Sequence, residues 1–138
     1  MFIVLLSLTY SLLGAIAQDA AFALDFHEEY ATALAKAKKD NKLLMLVIVQ
    51  DPCPYCDRLV EDTLPDPKVM KALEAFVSVI VDKHSKLPSA FTTNIAPMTF
   101  FIDPKNEEGL WESIGYVSAE QFLDDIKEAQ LIHTTQQK

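Results

Sequence analysis

Cys53-Pro54-Tyr55-Cys56 contains the only two cysteines of the chain, three positions apart. That spacing places both sulfurs within one helical turn, so a disulfide between them can close and reopen without moving the rest of the chain. The pair reads as a redox centre. If Cys53 sits at a helix N-terminus, the unpaired backbone N–H groups and the positive end of the dipole stabilise its thiolate, the form that attacks disulfides. Cys53 is then the nucleophile. Cys56, one turn inside and less exposed, acts second, attacking the mixed disulfide to release the reduced partner. Pro54 suits a first helical turn and fixes the backbone there. Tyr55 faces solvent or substrate, with a plain surface aromatic as the alternative.

Other chemistries fit these residues less well. A zinc site needs about four ligands, and two cysteines with the scattered His27, His84 and His133 show no metal spacing. A c-type haem attachment requires histidine after the second cysteine, where Asp57 stands. A purely structural bridge over so short a loop would constrain the unfolded chain little. No metal and no other cofactor is expected.

The elements that must hold the pair follow from the apolar pattern. Leu43 to Val49 is a continuous apolar run of strand length with no solvent face, which suits a central, parallel strand covered by helices on both sides. The cysteine helix follows it and runs to about Thr63, where Leu64-Pro65-Asp66-Pro67 breaks it. Asp66 is an N-cap candidate and Pro67 a first helical residue for the next helix, with Val69, Met70, Leu73 and Phe76 on its apolar face. Val77 to Val81 reads as a second buried strand and Met98 to Ile102 as a third, entered through Pro97. Leu110 to Gly115 pairs back as a hairpin. Ser118 with Gln121 forms a capping box for a last helix carrying Phe122, Ile126 and Ala129. Upstream, Tyr30, Ala33, Leu34 and Ala37 recur at helical spacing from Glu28 to about Lys39. Phe22 to Phe26 reads as a short edge strand, and a short helical turn is expected around Ser89 to Thr92. The order is an α/β sandwich around a mixed sheet.

The chain has 138 residues, half of them hydrophobic, enough for one compact domain. A formal net charge of −8 argues against the nucleic-acid backbone as a partner, since binding there is driven by clustered Lys and Arg. Met1 to Ala17 carries no charged residue and ends in Ala15-Ile16-Ala17, so it reads as a secretory signal peptide, leaving 18–138 as the domain. Ala21-Phe22-Ala23 offers a second, weaker cleavage site. The absence of a basic lead keeps an uncleaved anchor as the alternative, although the apolar run is short of the roughly 20 residues that span a bilayer. Export suits the cysteines, because a lone pair persists as a disulfide in an oxidising compartment. The expected location is periplasmic or secreted.

From about Glu28 to Leu131 the sequence resembles thioredoxin-fold domains, and most of all the secreted bacterial thioredoxin-like thiol:disulfide oxidoreductases. The resemblance is carried by the C-x-x-C after a buried strand, by the Leu64-Pro65-Asp66-Pro67 break, by Ile95-Ala96-Pro97-Met98-Thr99-Phe100-Phe101-Ile102-Asp103, and by Gly115-Tyr116 before the last helix. It implies a thioredoxin-like α/β fold, a central mixed sheet flanked by helices. It also implies that the Ala96–Pro97 bond is cis and packs beside the cysteines, with the Ala96 backbone pairing with the substrate peptide. Pro97 as a mere strand-entry breaker is the alternative.

The implied activity is thiol:disulfide exchange with cysteines of other exported proteins, with a membrane electron donor of the disulfide-reductase type. An oxidase or isomerase on the same fold, or a non-enzymatic peptide-binding module, are the other readings. Two departures from thioredoxin stand out. Asp51-Pro52 replaces the tryptophan before the first cysteine, while the lone Trp111 falls in the hairpin, where core or sheet surface is expected. The buried acid that assists the second cysteine falls at Val47, so a water or a carboxylate from elsewhere must serve; Asp57, Glu61 and Asp62 are near in sequence but read as solvated helix residues. Glutaredoxins share the Pro-Tyr dipeptide, yet their Gly-Gly pair after the proline strand is missing here. The direction of electron flow rests on local charge. Asp51 and Asp57 flank the pair, with Arg58 the single nearby cation; negative neighbours raise the Cys53 pKa and favour the disulfide, which makes the dithiol a better reductant. Screening and the helix end oppose this tilt. Oligomeric state is not legible.

Overall fold

All seven residues of Leu43–Val49 are buried and form β1, as an apolar run without a solvent face requires. In the computed structural model, which describes residues 15–138, β1 lies inside a four-stranded sheet of order β2-β1-β3-β4. It pairs parallel with β2 (Phe76–Asp82), with Val47 opposite Ile80, and antiparallel with β3 (Met98–Asp103), with Val47 opposite Thr99. The strand β4 (Glu108–Ile114) closes the hairpin with β3, and the register shifts between Phe101 and Ile102.

Alternation along these strands divides the core in two. Leu44, Leu46 and Ile48 with Val77, Val79, Val81, Met98 and Phe100 meet Ala33 and Ala37 of α2 (Tyr30–Asp40). Met45, Val47, Val49 and Phe101 face the opposite way, toward both cysteines and the remaining helices. Those helices are α1 (Ala15–Leu24), α3 (Pro54–Arg58), α4 (Pro67–Leu73) and α5 (Ala119–Gln136). Phe101 stands at the centre of this second layer, 5.7 Å from the Phe76 ring and 5.8 Å from that of Phe122.

Local chemistry sets most boundaries. Asp66 Oδ1 accepts from the N–H groups of Lys68 and Val69 at 2.8 and 3.3 Å, and Pro67 takes the first helical position of α4. Asn41 ends α2 in the left-handed region, φ 54°, which asparagine tolerates better than most residues. Ser118 Oγ accepts from Gln121 N–H at 3.2 Å to start α5. The reciprocal half of the expected capping box does not form; the Gln121 side chain turns instead to Asp125, its amide donating to that carboxylate at 3.1 Å. The short turn at Ser89–Phe91 is a 3₁₀ helix.

One element differs in kind from its expectation. Phe22 does not enter a strand; it lies in α1, which runs to Leu24 and buries Ala17, Ala20, Ala21 and Leu24 against the cysteine side of the sheet. Those positions are a helical stripe made mostly of small residues, which packs closely although it lacks the bulk that marks an amphipathic face. Strand pairing here is reduced to a single bridge, His27 beside Val79, in which His27 N–H donates to Ser78 O and Ile80 N–H to His27 O. Most of the expected signal segment, residues 1–14, lies outside the described residues; Ala15, Ile16 and Ala17 form the first turn of α1. Among the described residues no helix is long and apolar enough to cross a membrane.

Candidate active site

β1 ends at Val49, and Gln50-Asp51-Pro52 turns the chain into α3 through a cis Asp51–Pro52 bond that nothing in the sequence announced. Cys53 is the N-cap of α3: its backbone is extended, Pro54 occupies the first helical position, and its Sγ accepts the Cys56 N–H at 3.2 Å. The sulfur therefore takes the place that a serine or aspartate oxygen holds at other helix starts, facing donors that would otherwise be orphaned. Cys53 and Cys56 form a disulfide, with Cα atoms 5.2 Å apart. Cys56 is fully buried, and Cys53 retains 7% of its surface. Of the two, only Cys53 keeps any accessible surface, as the expected attacking residue must. Tyr55 stands between them, 61% exposed.

The helix continues beyond Arg58 as a π-helical turn, Leu59–Thr63, which buries Leu59 and Thr63. Thr63 Oγ1 donates to Val117 O at 2.7 Å, tying the turn to the loop before α5. Arg58 reaches the same loop, its guanidinium 4.1 Å from the Tyr116 ring centroid, a cation–π contact. Gly115 N–H donates to Pro97 O at 2.9 Å. Its φ of +72° is a conformation that favours glycine. The loop thus fastens the cysteine helix on one side and the Pro97 strand on the other.

That strand brings in the remaining pair of residues singled out from sequence. The Ala96–Pro97 bond is cis, and Ala96 O lies 3.7 Å from Cys53 Sγ, where a reduced thiol would donate to it. Pro97 is buried, Ala96 partly open, and Ile95 beside them 48% exposed. Val47 lies in the same core cluster as both cysteines, so no acid occupies that buried position. Asp57, Glu61 and Asp62 are exposed. Trp111 lies on β4, donating from Nε1 to Asp125 Oδ1 at 3.0 Å.

Sequence reasoning missed two contributions to this region. Asp19 of α1 joins Asp51, Asp57 and Glu61 around a groove of about 410 Å³ floored by Ile16, Ala20, Ala23 and Val60. The contact between Arg58 and Tyr116 was equally hidden, although a cation two residues after the second cysteine was visible. The groove that Asp51 and Asp57 share is thus ringed by four carboxylates, one of which, Asp19, is distant in sequence.

Residues 30–130 match the family model for the thioredoxin-like domain. Among solved structures the chain is similar to a thioredoxin from Thermus thermophilus, at 26% identity and TM-score 0.68 over 76% of this chain and 86% of that one. It is similar in fold to the C-terminal domain of Neisseria meningitidis DsbD in the oxidised form, at 19% identity and TM-score 0.61 over 75% and 98% of the two chains. The same holds for the periplasmic thioredoxin SoxS from Paracoccus pantotrophus, at 18% identity and TM-score 0.52 over 64% and 99%. Among curated proteins no match was found.

Proposed function

This chain belongs to the thioredoxin-like domain family and is a thiol:disulfide oxidoreductase, and on that premise we propose that it is exported and keeps cysteines of other exported proteins reduced. The observation that carries the reading is the Cys53–Cys56 disulfide, with Cys53 capping a helix 3.7 Å from the carbonyl ahead of a cis proline.

In the reducing direction the Cys53 thiolate, stabilised by the Cys56 N–H and the helix start, attacks one sulfur of a partner disulfide, and the other partner sulfur leaves as a thiolate. Cys56 then attacks Cys53 Sγ, the bond to the partner breaks, and the domain is left oxidised. In this reading the Ala96 backbone pairs with the partner chain, with Pro97, Pro54 and Tyr55 around it. A donor of two electrons must reset the pair; a membrane disulfide reductase of the kind the family resemblance implies would serve.

The direction is supported by the carboxylates of Asp19, Asp51, Asp57 and Glu61 around the neighbouring groove. Negative charge next to Cys53 disfavours its thiolate and so favours the disulfide, making the dithiol the stronger reductant. Export is supported by the uncharged lead Met1 to Ala17 and by the periplasmic location named for the SoxS thioredoxin.

Replacing Cys56 by serine tests the reading directly. The variant should accumulate mixed disulfides through Cys53 when expressed in a cell with an oxidising compartment, and these should vanish on adding dithiothreitol and in the Cys53→Ser, Cys56→Ser double variant. A partner complex that survives in the double variant would mark a binding module instead. Equilibration of the wild type with glutathione buffers fixes the direction: a potential near that of the strong oxidants, about −120 mV, would rule out the reductase role.

A further inference from the structure

Among the described residues Thr99 Oγ1 is the one buried side-chain polar atom without a hydrogen-bond partner. The other buried polar side chains are engaged. Thr63 donates to Val117 O, Ser113 to Asp125, and the Asp103 carboxylate accepts from Lys105 N–H. Thr99 is 0% exposed, and a valine of the same shape would avoid the cost of stripping a hydroxyl of water. An orphan of this kind calls for an explanation in function.

Its position supplies one. Met98, Phe100 and Ile102 point toward α2 and Phe101 toward the cysteines, so alternation turns Thr99 to the cysteine side. There it is the cross-strand partner of Val47, a member of the cluster that contains Cys56. The reaction proposed above makes Cys56 carry a negative charge at 0% exposure, as leaving group when the disulfide is opened and as nucleophile when it re-forms. A buried thiolate needs a donor. Among the groups facing this region, Asp51, Asp57, Arg58 and Glu61 on the cysteine segment are at the surface. From other elements come Asp19 on α1, Tyr116 beneath Arg58, and the buried Asp125, whose carboxylate already accepts from Trp111, Gln121 and Ser113, the last the cross-strand partner of Thr99.

We propose that Thr99 is a further catalytic residue of this exchange reaction: its hydroxyl donates to the Cys56 sulfur whenever that sulfur is a thiolate. In the disulfide Thr99 Oγ1 bonds to neither sulfur; the donated bond forms with the thiolate, the stronger acceptor. In the resolving step Cys56 loses its proton to solvent and its thiolate attacks Cys53 Sγ. The bond from Cys53 to the partner sulfur breaks, and the partner leaves as a thiolate that takes up a proton. Two electrons pass from the cysteine pair to the partner.

The reagent dithiobis(nitrobenzoate) separates the two steps. The reduced protein releases one thionitrobenzoate when Cys53 attacks and a second when Cys56 resolves the mixed disulfide. In Thr99→Val the first release should be unchanged. Loss of a bond to a charged acceptor should raise the Cys56 pKa by at least about one unit, cutting its thiolate at about pH 7 by tenfold or more, while the more basic thiolate regains part of that in nucleophilicity; the second release should slow by about three- to tenfold. The gap should close once the pH exceeds both pKa values, and Thr99→Ser should restore the wild-type profile. A valine variant with the wild-type second phase and pH midpoint overturns the proposal, as does one that slows both phases equally. A wild type that never releases the second equivalent overturns the exchange reaction itself.

Discussion

Replacing Asp125 by alanine should be among the most damaging single changes outside the apolar core, and its cost can be built from its partners. The carboxylate is buried at 5% exposure and accepts from Trp111 Nε1 at 3.0 Å, from Gln121 Nε2 at 3.1 Å and from Ser113 Oγ. Trp111 and Gln121 are exposed enough to find water once the acceptor is gone. Ser113, 3% exposed, is not. The stranded hydroxyl accounts for about 1–3 kcal/mol, and the loss of two bonds to a charged acceptor adds to it. Against this stand the relief of a desolvated carboxylate and the better helix propensity of alanine within α5, about 0.5 kcal/mol.

The net loss should be about 2–3 kcal/mol, which lowers the melting temperature by roughly 10 °C for a domain of this size. Urea unfolding followed by circular dichroism gives the value, with an unchanged m-value required for a two-state comparison. Adding Ser113→Ala should recover about 1 kcal/mol, because the hydroxyl is no longer left unpaired. A single-variant loss below about 0.5 kcal/mol, or a double variant no more stable than the single, would refute the reasoning.

Two further outcomes follow from polar contacts outside the cysteine site. Tyr30 donates to Glu107 Oε1 at 2.8 Å, and burial, followed by this bond and the Glu107 charge, raises its pKa above the ordinary 10.0. The folded state then holds the tyrosine proton where the unfolded chain releases it, so stability is complete below pH 10.0 and declines above it. Tyr30→Phe should be less stable by ~1 kcal/mol at about pH 8, and the difference should shrink as alkaline unfolding curves are taken past the ordinary tyrosine pKa; a difference independent of pH would remove the linkage. Asp66→Ala should cost about 1 kcal/mol by denaturant unfolding, since its carboxylate caps α4 through two backbone donors, whereas Asp66→Ser should lose far less.

How much of this was visible in the linear chain depends on the distance over which each feature is decided. β1 was legible because seven consecutive apolar residues admit no exposed face, and α4 because Asp66 and Pro67 sit where a cap and a first turn belong. The sulfur pair was legible for the same reason: its spacing, its N-cap position and the proline after it all lie within four residues. The helix α1 was not, since its buried stripe of Ala17, Ala20, Ala21 and Leu24 is built mostly of small side chains, and the phenylalanines near its end imitate a strand. The surroundings of the site were least legible. Ala96 reaches Cys53 from 43 positions away, Val117 reaches Thr63 from 54, and Asp19 joins Asp51 only because α1 folds over the cysteine side. The nearness of Pro97 came through the family resemblance, not through any property of its neighbours. Chemical identity is therefore written locally, while the field, the donors and the substrate backbone that give the two sulfurs a direction are set by packing. The polarity of electron flow has to be sought in those packed neighbours, which the four residues of the motif do not encode.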